Sequence, residues 1–185
     1  PYWNGPEDDV SFQQALDAGL YDWAELATPA FEVHSTLEKM LESISNPLWP
    51  DGSTLASTTM QYTHNYPHVL AGLQGDGVDV VPEIHDFAAA QGWTIDVLDQ
   101  VKHMNADQAR CGYGCSGNPY DAYWAFGPTD HGDIHELGHG LERDRFRLTM
   151  NGVKSEGHAV TNPYAYFTKS MFYLETGNAP NCQSL

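Results

Sequence analysis

A His-Glu-x-x-His sequence at residues 135–139 is the part of this chain best suited to chemistry. Residues four apart lie on one face of a helix, so His135 and His139 can direct two imidazole nitrogens at one metal ion. Glu136 follows the first histidine directly, and from there its carboxylate can act as a general base on a nearby water. The spacing is typical of zinc-dependent peptidases, and it predicts a Zn²⁺ site with Glu136 as catalytic base.

The residues around this sequence favour a helix that has one face in the core. Ile134, Leu137 and Leu141 recur at helical spacing and predict a buried stripe beside the two histidines. Asp133 lies three residues before Glu136 and resembles a capping box, so the helix is expected over residues 133–143. Gly138 lowers helix propensity, but it would let another helix approach closely. This context disfavours the alternative of a surface helix with two solvated histidines.

A catalytic zinc site usually takes three protein ligands and keeps a fourth position for water. Position 145 is Arg, which excludes the class in which a third histidine follows six residues after the second. The acidic and histidine candidates downstream are Glu142, Glu156, His158 and Glu175. Glu156 is favoured, because the 17 residues after His139 leave room for a helix to end and the chain to return. His158 is the alternative ligand, whereas Glu142 and Asp133 are candidates for orienting the zinc histidines.

The length of the chain predicts a single domain, residues 1–185, and its composition predicts a sizeable hydrophobic core. Hydrophobic residues make up 41% of the chain, and no apolar run is long enough to span a bilayer, so no membrane insertion is expected. The net charge of −17, with only 8 Lys and Arg, disfavours nucleic acid and anionic membranes as partners. The chain starts at Pro1 rather than Met, which suggests a piece of a longer, processed or trimmed protein.

The pattern along the chain predicts an α+β fold that is mostly helical with a small sheet. Helices are expected over residues 11–27, 35–44, 83–90, 95–104, 133–143 and 162–174, and strands over 31–35, 78–81 and 146–150. Residues 49–77 are rich in Pro, Gly, Ser and Thr, and we expect them to be mostly irregular and to line a cleft. Residues 110–130 are expected to form a loop, and Asn151-Gly152 a turn.

Two groups of residues flank the predicted metal-binding helix: a pair of cysteines before it and three arginines after it. Cys111 and Cys115 would form a small disulfide in an exported protein, leaving Cys182 over. Three arginines follow the helix at positions 143, 145 and 147, where they would complement its C-terminus. The alternative is that these arginines contact a carboxylate or an acidic sugar near the site.

Two longer runs carry a resemblance to a known family. The run GDIHELGHGLERDRFR, residues 132–147, and the run EGHAVTNPYAYFTKS, residues 156–170, resemble the enhancin-like, mucin-degrading gluzincin metallopeptidases. Within that family they look closest to the bacterial immunomodulating metalloproteases. The resemblance covers about residues 127–173. It implies a zincin-like (gluzincin) domain of a secreted zinc endopeptidase that cuts glycoproteins, often near O-glycans.

The resemblance assigns roles at matching positions. It implies that Zn²⁺ is held by His135, His139 and Glu156, that Glu136 is the general base, and that the partner is an O-glycosylated protein substrate. This chain departs from the family pattern at one point: Ala159 stands where the ligand Glu directly precedes the Val-Thr-Asn-like run. Glu156 lies three residues earlier, which keeps His158 as a rival ligand.

Oxyanion and substrate contacts are less determined by the sequence. A Tyr or His usually supplies the oxyanion donor, and the candidates are Tyr120, His158, Tyr164 and Tyr166, with aromatic packing as the alternative for each tyrosine.

Two functions other than peptide hydrolysis also fit these residues. One is a non-catalytic glycoprotein-binding module, which the intact Glu136 disfavours, and the other is hydrolysis of a non-peptide amide. The remaining histidines are expected at the surface or in ordinary hydrogen bonds: His34, His64, His68, His85 and His103.

Overall fold

The computed structural model describes residues 1–99, 101–104, 125–141, 149–154 and 158–179. The strands are β1 (Tyr2–Trp3), β2 (Trp23–Ala27), β3 (Phe31–Thr36), β4 (Leu73–Gly75), β5 (Asp96–Leu98), β6 (Lys102–Met104), β7 (Thr149–Met150) and β8 (Val153–Lys154). The helices are α1 (Asp9–Ala18), α2 (Leu37–Ile44), α3 (Gly52–Thr58), α4 (Tyr66–Leu70), α5 (Pro82–Ala90), α6 (His131–Leu141) and α7 (His158–Thr176). A 3₁₀ turn at Pro6–Asp8 precedes α1, and a π-helical segment at Thr59–Asn65 joins α3 to α4.

The main sheet has the strand order β1-β2-β3-β6. β2 and β3 are antiparallel, whereas β1 joins β2 and β6 joins β3 in parallel. Two further pairs, β4-β5 and β7-β8, complete the described sheets. Short sheets and predominant helix confirm the α+β fold expected from the sequence.

Two hydrophobic clusters hold these elements together. The larger one packs α1, α2 and α3 against one face of the main sheet, with Phe12, Phe31 and Met40 fully or almost fully buried. The smaller one lies between α6 and α7 and takes Leu73 from β4. Ile134, Leu137 and Leu141 of α6 belong to it, as the helical spacing predicts. The second cluster therefore fixes the helix that carries His135 and His139.

Several local predictions are confirmed. β3 alternates between buried and half-buried residues, as a strand with one face on the core does. α2 ends at Ile44 as expected, although its N-cap is Thr36, whose hydroxyl accepts the Lys39 N–H at 3.3 Å, and not Ser35. α5 begins at Pro82, and the Asn151-Gly152 turn joins β7 to β8 with both residues at positive φ.

The prediction of one helix over residues 11–27 is wrong in its second half. α1 ends at Ala18, because Gly19 adopts φ 61° and its N–H closes the last turn on Leu16. The following residues form β2, which pairs with β3 along its whole length. The apolar residues within 23–27 fit the helical period of about 3.6 residues as well as the strand period of 2. This segment is a strand because it pairs with β3.

The prediction that residues 49–77 are mostly irregular is also wrong. Asp51 accepts the Thr54 N–H at 2.7 Å and forms a capping box that starts α3. From there the π-helical segment and α4 continue the chain to Leu70. Pro67 lies in the first turn of α4, where a missing N–H does little harm. Burial of Leu55 and Tyr62 offsets the low helix propensity of the Ser and Thr residues.

Other boundaries differ from expectation. The helix expected over residues 95–104 is wrong, because residues 96–98 form β5 and residues 102–104 form β6. Val78 makes an isolated bridge to Gly75 rather than belonging to a strand over 78–81. α6 begins at His131, before Asp133, and α7 begins at His158 with Pro163 inside it. The strand expected over 146–150 is described only at Thr149–Met150. The three cysteines, the arginines that follow α6 and most of the loop expected over 110–130 lie outside the described residues.

Candidate metal centre and active site

α6 brings His135, Glu136 and His139 together. Each offers one ligand atom, and the three atoms lie within 4.8 Å of one another. The Glu136 Oε2 lies 4.0 Å from His139 Nε2. His135 and Glu136 are only 9% and 6% exposed, whereas His139 is half-buried, so the group is closed towards the core and reachable from one side. The two imidazoles are donors suited to a divalent transition metal, and the carboxylate beside them is placed to act as a general base.

The crossing of α6 and α7 depends on Gly138. A Cβ built at Gly138 would lie 3.0 Å from Tyr164 Cδ2 and 3.1 Å from Thr161 Cβ. A larger residue at this position would require Tyr164 and Thr161 to shift by a few tenths of an ångström. The sequence-based expectation that this glycine admits a neighbouring helix is confirmed, and the neighbour is α7.

This approach places two polar residues of α7 against the first histidine. The His135 Nδ1 lies 3.0 Å from the Asn162 Oδ1 and 2.9 Å from the Thr161 Oγ1, which is also 3.3 Å from Nε2. An amide oxygen only accepts, so Nδ1 carries the proton and donates to Asn162. In that tautomer Nε2 has the lone pair that a metal ion needs.

Sequence reasoning missed Thr161 and Asn162 as site residues. Their only signal was the Val-Thr-Asn run, which served as a family marker. Of the two carboxylates considered for the orienting role, Asp133 lies among the described residues, and its orienting role stays a prediction. Asp133 is buried and accepts the Gly127 N–H at 3.1 Å, which anchors the chain entering α6. Glu142 lies outside the described residues.

His131 lies one helical turn before His135 on α6. Its ring stacks on His135 with centroids 5.5 Å apart, and Tyr166 of α7 lies 6.1 Å beyond it. Burial and the charge of Lys169 lower the pKa of His131, although its hydrogen bond with Asn162 opposes the shift. Tyr166 is 45% exposed. Its place beside His131 suits a substrate contact, which stays a prediction.

Tyr164 occupies a different environment. It is 4% exposed, packs over Gly138, and directs its hydroxyl to the Leu141 carbonyl at 3.4 Å. These are contacts of helix packing, and its proposed role as an oxyanion donor stays a prediction. His158 is the first residue of α7. Glu156 and Tyr120 lie outside the described residues, so the choice of third ligand also stays a prediction.

Glu175, the candidate near the C-terminus of α7, has another task. It accepts hydrogen bonds from Tyr62, at 2.7 Å, and from Tyr66. Burial, together with these bonds to Glu175, raises the pKa of Tyr66 to about 12. The carboxylate thus ties the end of α7 to the π-helical segment and α4.

The chain is similar in sequence and in structure to a known metalloprotease. The chain is 37% identical over 145 residues, 75% of its length, to the immunomodulating metalloprotease of Pseudomonas aeruginosa. This chain is a relative of the immunomodulating metalloprotease. The resemblance inferred from the two motif runs is thereby confirmed. No protein-family model matches the chain.

Solved structures of this metalloprotease from the same organism, named IMPa, share the fold. One covers 96% of the chain with 30% identity and a TM-score of 0.74. A second, in complex with an O-glycopeptide, reaches a TM-score of 0.76 at 29% identity, and a third, with T-antigen, 0.71 at 31%. The chain spans 16% of the sequence relative and 21% of each solved chain. The zincin-like α+β class expected from the sequence is confirmed by this likeness.

Proposed function

We propose that this chain is the catalytic domain of a zinc endopeptidase that hydrolyses peptide bonds in O-glycosylated proteins such as mucins. The observation that carries the proposal is the buried Glu136 between two histidines whose ligand atoms lie within 4.8 Å of one another and of its own. A metallopeptidase relative and the fold shared with its solved structures support the reaction type. An intact Glu136 favours catalysis over the alternative of a binding module.

The donor set supports zinc as the metal. Zinc prefers imidazole nitrogen and carboxylate oxygen in four-coordinate sites with one open position. His135 and His139 would supply two ligands, and we propose Glu156 as the third, with His158 as the alternative. Asn162 would keep His135 in the tautomer that presents Nε2.

The residues of the chain divide the chemistry between them. Zinc, when bound, polarises a carbonyl and lowers the pKa of water at the site to about 7 in well-known enzymes. Glu136 takes a proton from the attacking water and passes it to the leaving amine. Its near-complete burial keeps bulk water from competing for that proton. Tyr166, which is 45% exposed, and His131 beside it would contact the substrate.

The proposed substrate class rests on what is bound in solved structures of the relative. The relative is solved with an O-glycopeptide and with T-antigen, so a glycan-bearing peptide is the substrate we propose for this chain. Such substrates occur outside cells, and we propose that the protein is secreted. No helix of the described residues is long and apolar enough to cross a membrane.

The deciding experiment is cleavage of an O-glycosylated mucin peptide and of the same peptide without glycan, with and without a chelator. Wild-type protein should cut the glycosylated peptide, lose activity with chelator, and regain it with zinc. Glu136→Gln should keep the wild-type zinc content and lose about 10²–10⁴-fold in rate. Retained turnover in that variant would refute the base. Zinc binding and peptide binding without cleavage in wild type would support the module instead.

A further inference from the structure

A second group of metal-type ligands lies on the main sheet, away from α6. The strand register pairs Glu25 of β2 with His34 of β3, and Glu32 of β3 with His103 of β6. Along β3, Glu32 and His34 alternate with the buried Phe31, Val33 and Ser35. These residues therefore share the face of the sheet that is turned away from the main hydrophobic cluster.

Three ligand atoms converge on that face. The His103 Nδ1 lies 3.0 Å from the Glu32 Oε2 and 3.1 Å from the His34 Nε2. The third side of the triangle, from His34 Nε2 to Glu32 Oε2, is 3.4 Å. Three atoms so spaced share a point about 2.1 Å from each, which is the length of Zn–N and Zn–O bonds.

We propose that Glu32, His34 and His103 form a second metal site, which takes a zinc-class divalent ion. Two imidazoles and one carboxylate suit zinc, cobalt or nickel better than the hard ions calcium and magnesium, which prefer all-oxygen sites. The side chains of His34, Glu32 and His103 are 13%, 34% and 41% exposed, so the site opens to solvent on one side. Three protein ligands with an open position would hold an exchangeable ion.

A neighbouring carboxylate prepares His34 for this role. The His34 Nδ1 lies 3.0 Å from the Glu25 Oε1, which also accepts the Trp23 Nε1–H at 2.8 Å. The Glu25 carboxylate accepts a hydrogen bond from the His34 Nδ1–H, and this contact leaves the Nε2 lone pair towards the other two ligands. This carboxylate–histidine arrangement is the usual support of zinc histidines.

An ion at this place would join β6 to β3. β6 lies at the edge of the main sheet and pairs with β3 over three residues only. A metal ion bound by both strands in the folded state alone stabilises that state by mass action. The competing explanation is a metal-free network, in which the His103 Nδ1–H is shared between Glu32 and His34. The two explanations differ in zinc stoichiometry.

The test counts zinc in chains that lack the α6 site. With His135 and His139 both changed to Ala, the chain should still bind about one zinc after equilibrium dialysis, measured by elemental analysis. Adding Glu32→Gln or His103→Asn to this background should remove that zinc. His85→Ala, an exposed histidine of α5, is the matched control and should leave it in place. The readout is independent of cleavage, so failure of the proposed peptidase would not affect it.

Thermal melts provide the second measurement and control for folding. Zinc at about 100 times its Kd should raise the Tm of the background chain by about 5–10 °C, and leave that of the Glu32→Gln and His103→Asn chains unchanged. Circular dichroism should show the same folded state in all of them. Equal zinc content and equal Tm shifts with and without Glu32 would overturn the site in favour of the metal-free network.

Discussion

At the residue scale, the tautomer of His135 connects the packing of α7 to the chemistry of α6. The Asn162 Oδ1 is 3.0 Å from His135 Nδ1 and can only accept, so it fixes the proton on that nitrogen. Partners of this kind typically change metal affinity by 10–100-fold. The contact therefore predicts a measurable role for a residue that does not touch the metal.

Asn162→Ala should weaken zinc binding at the α6 site by about 10–100-fold. The expected cause is loss of orientation rather than loss of a ligand, so Asn162→Asp, which still accepts from Nδ1, should recover most of the affinity. Competition with a coloured chelator would measure the change. Asn178→Ala, at an exposed asparagine beyond α7, is the control. Equal affinity in Asn162→Ala and wild type would contradict the prediction.

The third ligand is also decided at this scale. Glu156→Ala should lower zinc affinity at the α6 site by several orders of magnitude, because it removes a bond to the metal. His158→Ala should change the affinity far less. Zinc titrations of the two variants on a Glu32→Gln background would exclude the sheet site from the measurement. The reverse order of effects would identify His158 as the ligand.

The sequence predicted the α6 residues but missed their partners for a physical reason. His135, Glu136 and His139 lie within one helical turn, so their proximity follows from the helix period alone. Asn162 reaches His135 only because α7 crosses α6 at Gly138. His34 and His103 are 69 residues apart, and strand register alone brings them together. Such contacts depend on tertiary pairing, which local spacing does not encode.

At the scale of elements, the α6–α7 crossing is the contact on which the site depends. A methyl group added at Gly138 would meet atoms of Thr161 and Tyr164 at 3.0–3.3 Å, whereas one added at Gly140 on the same helix would meet nothing within 4 Å. The two glycines thus carry the same helix penalty with different packing. Their comparison separates propensity from packing.

Gly138→Ala should lower the free energy of unfolding by about 1–2 kcal/mol, because overpacking outweighs the gain in helix propensity. It should also weaken zinc binding, since α7 carries Asn162. Gly140→Ala should instead raise the free energy of unfolding by up to about 1 kcal/mol. Urea unfolding of both variants, with zinc affinity measured alongside, checks the pair. If Gly138→Ala and Gly140→Ala both raised the free energy of unfolding, α7 would accommodate the added methyl group without a packing penalty, which would contradict the prediction.

The missed elements share one property. The apolar residues within 23–27 and 96–104 are spaced in a way that also fits a helix. These segments instead form β2, β5 and β6, because each pairs with a neighbouring strand. Residues 52–70 have low helix propensity, yet the Asp51 cap and burial of Leu55 overcome it. The helix expected over residues 83–90, by contrast, is confirmed as α5, because Pro82 at its start and Gly92 just after its end set its boundaries locally.

At the scale of the whole molecule, two histidines are buried where charge is costly. His64 and His68 have no exposed surface, and their rings lie 4.6 Å apart between the π-helical segment and α4. Burial lowers the pKa of His64, although the Asp76 carbonyl opposes this. Burial, then the neighbouring His64, lowers the pKa of His68 to about 3, with a smaller contribution from Lys102. Both are therefore neutral in the folded protein at neutral pH.

This burial sets the sign of a stability change with pH. In the unfolded chain both histidines take up protons near pH 6.5, whereas the folded chain resists protonation of His68 down to about pH 3. The contribution of His68 is therefore complete above about pH 6.5 and is lost as the pH falls towards 3. Within that window His68 adds a slope of up to about 1.4 kcal/mol per pH unit, and the lowered pKa of His64 acts in the same direction. Urea unfolding at intervals from pH 7.5 to 4.5 would measure the total slope, to which carboxylates add.

His68→Gln should reduce this slope of the free energy of unfolding against pH by close to one proton, whereas His85→Gln, at the exposed histidine, should leave the slope unchanged. The difference between these two variants isolates His68 from every carboxylate of this chain of net charge −17, and identical slopes would mean that His68 is protonated in the folded state.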